Sequence, residues 1–451
     1  MRRAAGLLLR LGAVSSLVVC LGASSATAQW FGSRRARVTE ASIRGHMEML
    51  ASDAMNGRGS GTRDEWLAAV YIGAQLRRWG LVPLGNDGGF VQTIETPQRA
   101  VVGAPVLRLA GTSFVHGVDL QVDIVGPPHV TGPLTRFARG VVIPAGAVAL
   151  VTGPDTPTAD LSSNAAAVLV MRPPASPVQD VVSPRVRDAR TPWRVALAPQ
   201  AFAAISRLPD GEVVTLDAEL RATRTWNAIG KIDGRDPSRR RDAILLTAHL
   251  DHIGVRGTGD DRINNGADDD ASGSTAVLEF ARVLASGPAP ERTIIFAWFG
   301  SEEVGGFGAR YFLEHPPVPL TSIVANLEFE MIGRPDPLVP PRTSWLAGYE
   351  RTTLGPALAA HGARLVADPH PDQRFFQRSD NIELARRGVV AQGLSTYGLH
   401  AQYHTPQDDL AHIDFPHLTA IIESLVDPIR WLANSSFIPT WRPGGQPDPI
   451  K

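Results

Sequence analysis

"AILLTAHLDHIG", residues 243–254, is an apolar run that turns polar at His249. Six residues, apolar but for Thr247, are too few for a typical helix, and suit a strand buried on both faces, as in a parallel sheet. The chain then repeats the theme. "SGSTAVLEFARVLAS" (272–286) has helical spacing, "RTIIFAWFG" (292–300) is a second apolar strand, "GFGARYFLEH" (306–315) a second helix and "SIVANLEFEMI" (322–332) a third strand. The strand "VVAQGLS" (389–395) and a last helix around "HLTAIIESLVDPIRWLA" (417–433) complete it. Apolar strands alternating with amphipathic helices predict an α/β fold, a mixed, largely parallel sheet with helices on both faces.

Ligands of such sheets bind at the carboxyl ends of the strands, and the unusual polar residues collect there. His249 and Asp251 follow the first strand on the same side, because strand side chains repeat every two residues. "NNGADDDASGS" (264–274) puts three aspartates in a row, "WFGSEEVGG" (298–306) brings Glu302 and Glu303, the third strand carries Glu328 and Glu330, and "QYHTPQDD" (402–409) supplies His404. Each has an ordinary explanation by itself; Asp270, for instance, could cap the helix after it. Three adjacent carboxylates repel one another, however, so either they splay into water or something positive sits among them. His, Asp and Glu at successive strand ends match the needs of one or two divalent ions.

Working outward, "EASIRGHMEMLAS" (40–52) and "EWLAAVYIGAQLRRWGL" (65–81) read as helices separated by the glycine-rich "NGRGSGTRD" (56–64), within a helical stretch from Val38 to about Thr93. From about Arg99 to Ala222, short β-branched runs such as "AAAVLVMRPP" (165–174) broken by Pro and Gly predict a small β-rich insert. The expected division is a signal peptide at 1–28, two parts of one α/β domain at 29–98 and 223–435 flanking an insert at 99–222, and a Pro/Gly-rich tail at 436–451. The leader starts with Arg2 and Arg3, continues in an apolar stretch from Leu7 to Leu21 and ends on Ala26-Thr27-Ala28, so export with cleavage after Ala28 is expected, to the periplasm or outside the cell. The chain's one cysteine, Cys20, lies in that leader behind Val19, so the mature chain would have neither thiol nor disulfide. Cleavage removes three arginines and no acid, leaving 41 basic against 45 acidic residues. That balance does not suggest a nucleic-acid partner, and no later segment is apolar enough for stable membrane insertion.

The order and spacing of "AHLDHIG", "NGADDDASG", "SEEVG" and "YHTPQDD", with "LASDAMNGRGSGT" (50–62) near the start, resemble the two-zinc aminopeptidases: the secreted bacterial leucyl-type enzymes and their vacuolar and glutamate-carboxypeptidase relatives. The insert is similar to the protease-associated domain of such enzymes. The resemblance implies two Zn²⁺ per chain, other divalent ions being possible, and peptide substrates. It gives one ion to His249 and Glu330, the other to His404 and Glu303, and makes Asp269 the bridge between them. It implies that Glu302 is the general base, that Asp251 fixes the His249 ring from behind, and that Tyr403 hydrogen-bonds the oxyanion. His252 and His400 match no ligand and are expected to be structural or pocket-lining. The family most often has Asp where this chain has Glu330, which leaves Glu328 as a competing candidate. The leading expectation is an aminopeptidase. The alternatives are a carboxypeptidase, a glutaminyl cyclase-like acyltransferase, which would need one zinc, and a binding protein that has lost its ligands.

Overall fold

Ala243–His249 is a strand buried at every residue, and the sheet is built around it. The computed structural model describes residues 35–138, 141–152, 164–172, 185–186, 190–256 and 259–449; the expected leader at 1–28 lies outside them. The central strand pairs in parallel with Thr293–Phe299 on one side and Ile323–Phe329 on the other, and the latter pairs in parallel with Ala391–Ser395. The chain therefore goes from the His249 strand first to one neighbour and then to the opposite one. That reversal opens a crevice at the carboxyl end of the His249 strand. Outside this parallel centre, Val213–Ile232 runs antiparallel to Thr293–Phe299 and Ser344–Leu346 antiparallel to Ala391–Ser395, which makes the sheet mixed.

Both faces are covered, and the strand's two-residue period divides the core. Ile244, Leu246 and Ala248 join the apolar cluster formed with helices Glu40–Leu50, Gly273–Ala285 and Phe415–Asn434. Ala243 and Leu245 join the cluster under Phe307–Glu314 and Asn381–Ala385. Thr39 and Thr62 start the first two helices by accepting hydrogen bonds from Ser42 N, and from Asp64 N and Glu65 N. The helical stretch expected to reach about Thr93 ends earlier. Its second helix, Arg63–Arg78, stops before Gly80, and Val91 already begins a strand.

That strand, Val91–Leu109, pairs antiparallel with Val213–Ile232 along most of its length, with irregularities at Asp217/Glu219 and Ala222/Arg224. One end of this ribbon joins the main sheet through Thr293–Phe299 and the other meets His129–Phe137. Arg99 and Ala222, the expected ends of the insert, face each other across it. Beyond them Leu120–Val125, Val148–Val151, Ala167–Met171 and Trp193–Leu197 enclose a separate core around Leu107, Val122, Leu150, Leu169 and Trp193. Among the described residues no helix is long and apolar enough to cross a membrane.

Candidate metal centre

The aspartate triplet is buried, each carboxylate turned to a different task. Asp268 Oδ1 accepts from Gly333 N at 2.7 Å and its Oδ2 lies 2.9 Å from His400 Nε2. Asp270 Oδ1 accepts from Gly273 N at 3.0 Å, the helix-capping contact expected of it, and from Met331 N at 3.1 Å. Between them Asp269 spans two histidines, its Oδ1 3.2 Å from His249 Nε2 and its Oδ2 3.2 Å from His404 Nε2. Gly266 lets the loop fold this tightly: its φ is +59°, and a Cβ there would lie 2.2 Å from Asp269 O. The loop is pinned by Asp408, whose carboxylate accepts from Asp268 N at 2.8 Å and Asp269 N at 3.0 Å.

Around Asp269 the donor atoms form two groups, each with ligand atoms within 4.8 Å of one another: His249, Asp269 and Glu330, and His252, Asp269, Glu303 and His404. Glu328 belongs to neither. Burial, with Asp380 and Glu330 nearby, holds its carboxyl well above the usual range. Buried polar atoms ordinarily find hydrogen-bond partners. Yet His249 Nε2, His404 Nε2, Glu303 Oε1 and both ring nitrogens of His252 have none of acceptable geometry. A cluster of imidazole nitrogens and carboxylate oxygens pointing at one another without bonding fits divalent cations. His249 Nδ1 donates to Asp251 O at 3.1 Å, which leaves Nε2 with its lone pair toward Asp269. The Asp251 carboxylate is 3.9 Å from that ring and instead accepts from Ser60 Oγ and from Glu302 N at 3.0 Å, fixing the turn that carries the glutamates.

Three residues at the site have left-handed backbone: Ser301 (φ +58°) before Glu302, Met331 (φ +52°) after Glu330, and His404 itself (φ +56°). Such conformations cost of order 1–3 kcal/mol each, so surrounding contacts must hold them. Burial pushes the His404 ring down, but Asp269 and Glu303 outweigh it and carry the ring up to about 9. A ligand imidazole must be neutral. Apparent zinc affinity of the metal-free protein is therefore expected to rise at least about tenfold per pH unit below that value, which calorimetry in buffers of different ionisation enthalpy would measure. The stability that the charged ring lends the metal-free fold runs the other way, fully present below 6.5 and lost as pH rises through about 9.

Beside the two groups lies a cavity lined by Asp269, Glu302, Glu303 and Glu330 and by Trp345, Phe375, Tyr397 and Tyr403 among others. Burial raises the Glu302 carboxyl well above its ordinary range, with His249 opposing and Asp380 adding to the rise. Burial also raises the Tyr403 phenol, whose ring stacks on His404 at 3.8 Å, so the hydroxyl keeps its proton.

Sequence reasoning set aside His252, which the structure buries against Glu303 with Nδ1 2.8 Å from Oε1. It also passed over Arg58. This buried guanidinium donates to the carbonyls of Leu250, Leu50, Asn265 and Gly266, which ties the glycine-rich loop to both metal-side loops. His400, expected to be structural, clips the His404 loop to Asp268.

Residues 227–427 match the model of Peptidase family M28. Leupeptin-inactivating enzyme 1 of Streptomyces exfoliatus is 32% identical over 171 residues, 38% of this chain and 35% of that protein. An aminopeptidase of Pseudomonas aeruginosa (strain UCBPP-PA14) is 33% identical over 135 residues, 30% of this chain and 23% of that protein. The matched stretches thus span 35% and 23% of these curated relatives' lengths. Among solved structures, BSAP, a zinc aminopeptidase from Bacillus subtilis, is 20% identical with a TM-score of 0.56, covering 88% of this chain and 96% of that one, a likeness of fold.

Proposed function

Taking residues 227–427 as a member of Peptidase family M28, we propose that this chain is a zinc-dependent aminopeptidase that holds two Zn²⁺ and removes amino-terminal residues from peptides. The observation that carries the reading is Asp269, one oxygen 3.2 Å from each of two histidines whose facing nitrogens make no hydrogen bond of acceptable geometry. His249, Asp269 and Glu330 would hold one ion and Asp269, Glu303 and His404 the other. When bound, such ions acidify a water and polarise a carbonyl. Glu302, in the lining of the cavity with its pKa raised, takes a proton from the attacking water and passes it to the leaving amine. The Tyr403 hydroxyl donates a hydrogen bond to the developing oxyanion. The aromatic walls from Trp345, Phe375 and Tyr397 suit an apolar side chain on the residue removed. The chain is exported, and amino-terminal sequencing of the secreted protein should read from Gln29.

The test is a panel of peptides sampled over time, with chelator and zinc add-back. Loss of amino-terminal residues, blocked by amino-terminal acetylation and restored by zinc after chelation, is the expected result; shortening from the carboxyl end would replace the reading with a carboxypeptidase. Within the ligand set, Glu330→Gln should weaken one ion selectively, because an amide oxygen lacks the charge that offsets a divalent cation, whereas Glu328→Gln should keep both. Zinc titration of the two metal-free variants checks this, and the reverse pattern would move the ligand by two residues.

A further inference from the structure

His252 stands where neither the resemblance nor the spacing put a ligand. Its Nδ1 is 2.8 Å from Glu303 Oε1 and 3.7 Å from Asp269 Oδ2. Those same two oxygens are each 3.2 Å from His404 Nε2. Two nitrogens and two oxygens thus enclose one point. In a tetrahedral zinc site with bonds near 2.0–2.1 Å, neighbouring ligand atoms are separated by ~3.3 Å, and the four measured edges, 2.8, 3.2, 3.2 and 3.7 Å, bracket that value. The ring is fully buried with neither nitrogen in a hydrogen bond of acceptable geometry. An imidazole serving only as packing would not keep both nitrogens unpaired in the interior.

We propose that His252 is a fourth protein ligand, so that the His404 position is a four-donor site while the His249 position has only three. The inference rests on the two-ion reading above and makes its ions unequal. Four protein ligands are the mark of sites that retain their metal, and three plus an open position the mark of sites that exchange it or bind substrate. Glu330 and Asp269 of the three-donor position line the cavity, as do Glu303 and Asp269 of the other, while His252 lies behind them outside the lining. The His404 position should fill first and hold its ion more tightly.

Two measurements on the full mature chain decide it. Metal-free protein is titrated with Zn²⁺ against a chromophoric chelator, for the wild type and for His252→Ala. A fourth ligand predicts that the tighter of two affinities falls by more than about 100-fold, beyond the 10–100-fold that loss of an outer hydrogen-bond partner typically costs, with the weaker affinity changed only a few-fold. Because a buried histidine can be needed for folding, the wild type is also loaded with one equivalent of Co²⁺. Its proton spectrum should show two hyperfine-shifted, exchangeable imidazole N–H signals, from His252 and His404. One such signal, or an affinity loss within the outer-partner range, would overturn the proposal and make His252 an orienting partner of Glu303. If the wild type binds neither metal, the two-ion reading falls together with it; if it binds two ions with a single imidazole at the tighter, only the His252 ligand falls.

Discussion

Glu302→Gln is expected to keep both metal ions and to lose roughly 10²- to 10⁴-fold in kcat, the range for removing a general base. The amide is nearly the same size as the carboxylate, and the turn around it is held through backbone N–H groups by Asp251, so the geometry should survive. The amide cannot accept a proton, so the loss should fall on kcat with KM little changed. Steady-state kinetics with metal content measured on the same preparation separates this from a binding defect. A variant that loses an ion would make Glu302 a ligand, and near-normal turnover would move the base elsewhere.

Arg58→Ala is expected to destabilise the fold by about 3–5 kcal/mol, the cost of breaking a buried charged interaction by removing one partner. The guanidinium is buried and donates to four carbonyls from three separate segments. Burial pushes its pKa down, while Asp270, Asp408, Asp251 and Asp269 push it up, so it is also the countercharge of the acidic loops. Removing it leaves both carbonyls and carboxylates without compensation. Arg58→Lys should recover little, since an ammonium cannot reproduce the planar fork that reaches all four oxygens. Urea unfolding of the metal-free forms gives the number, and a loss under about 1 kcal/mol would show that water substitutes for the side chain.

How far the sequence could be read depends on what kind of pattern placed each residue. The central strand was legible because Ala243 to Ala248 is apolar but for Thr247, which calls for cover on both faces. His249, Glu302, Glu303 and Glu330 follow from the same logic, each at or just past the end of a strand. His252 did not, because it lies beyond the strand's end, where the chain turns to bridge Gly59 and the two-residue alternation no longer says where a side chain points. Arg58 was hidden for a different reason. A lone arginine among glycines reads as solvated, and the carbonyls that bury it come from residues near 50, 250 and 265 that only the folded chain brings together. The two strands of the long ribbon are likewise far apart in sequence, and the Pro and Gly that interrupt Val91–Leu109 disguised its length.

The ribbon has a further meaning for the history of such a chain. Arg99 sits across from Ala222, so the two strands enter and leave the intervening segment at neighbouring points on a hairpin stem. A stem of that kind can be closed by a two-residue turn. Whatever hangs from it can be gained, lost or exchanged, by recombination or in the laboratory, without rewiring the strands that carry the site, much as a tool is changed in a fixed socket.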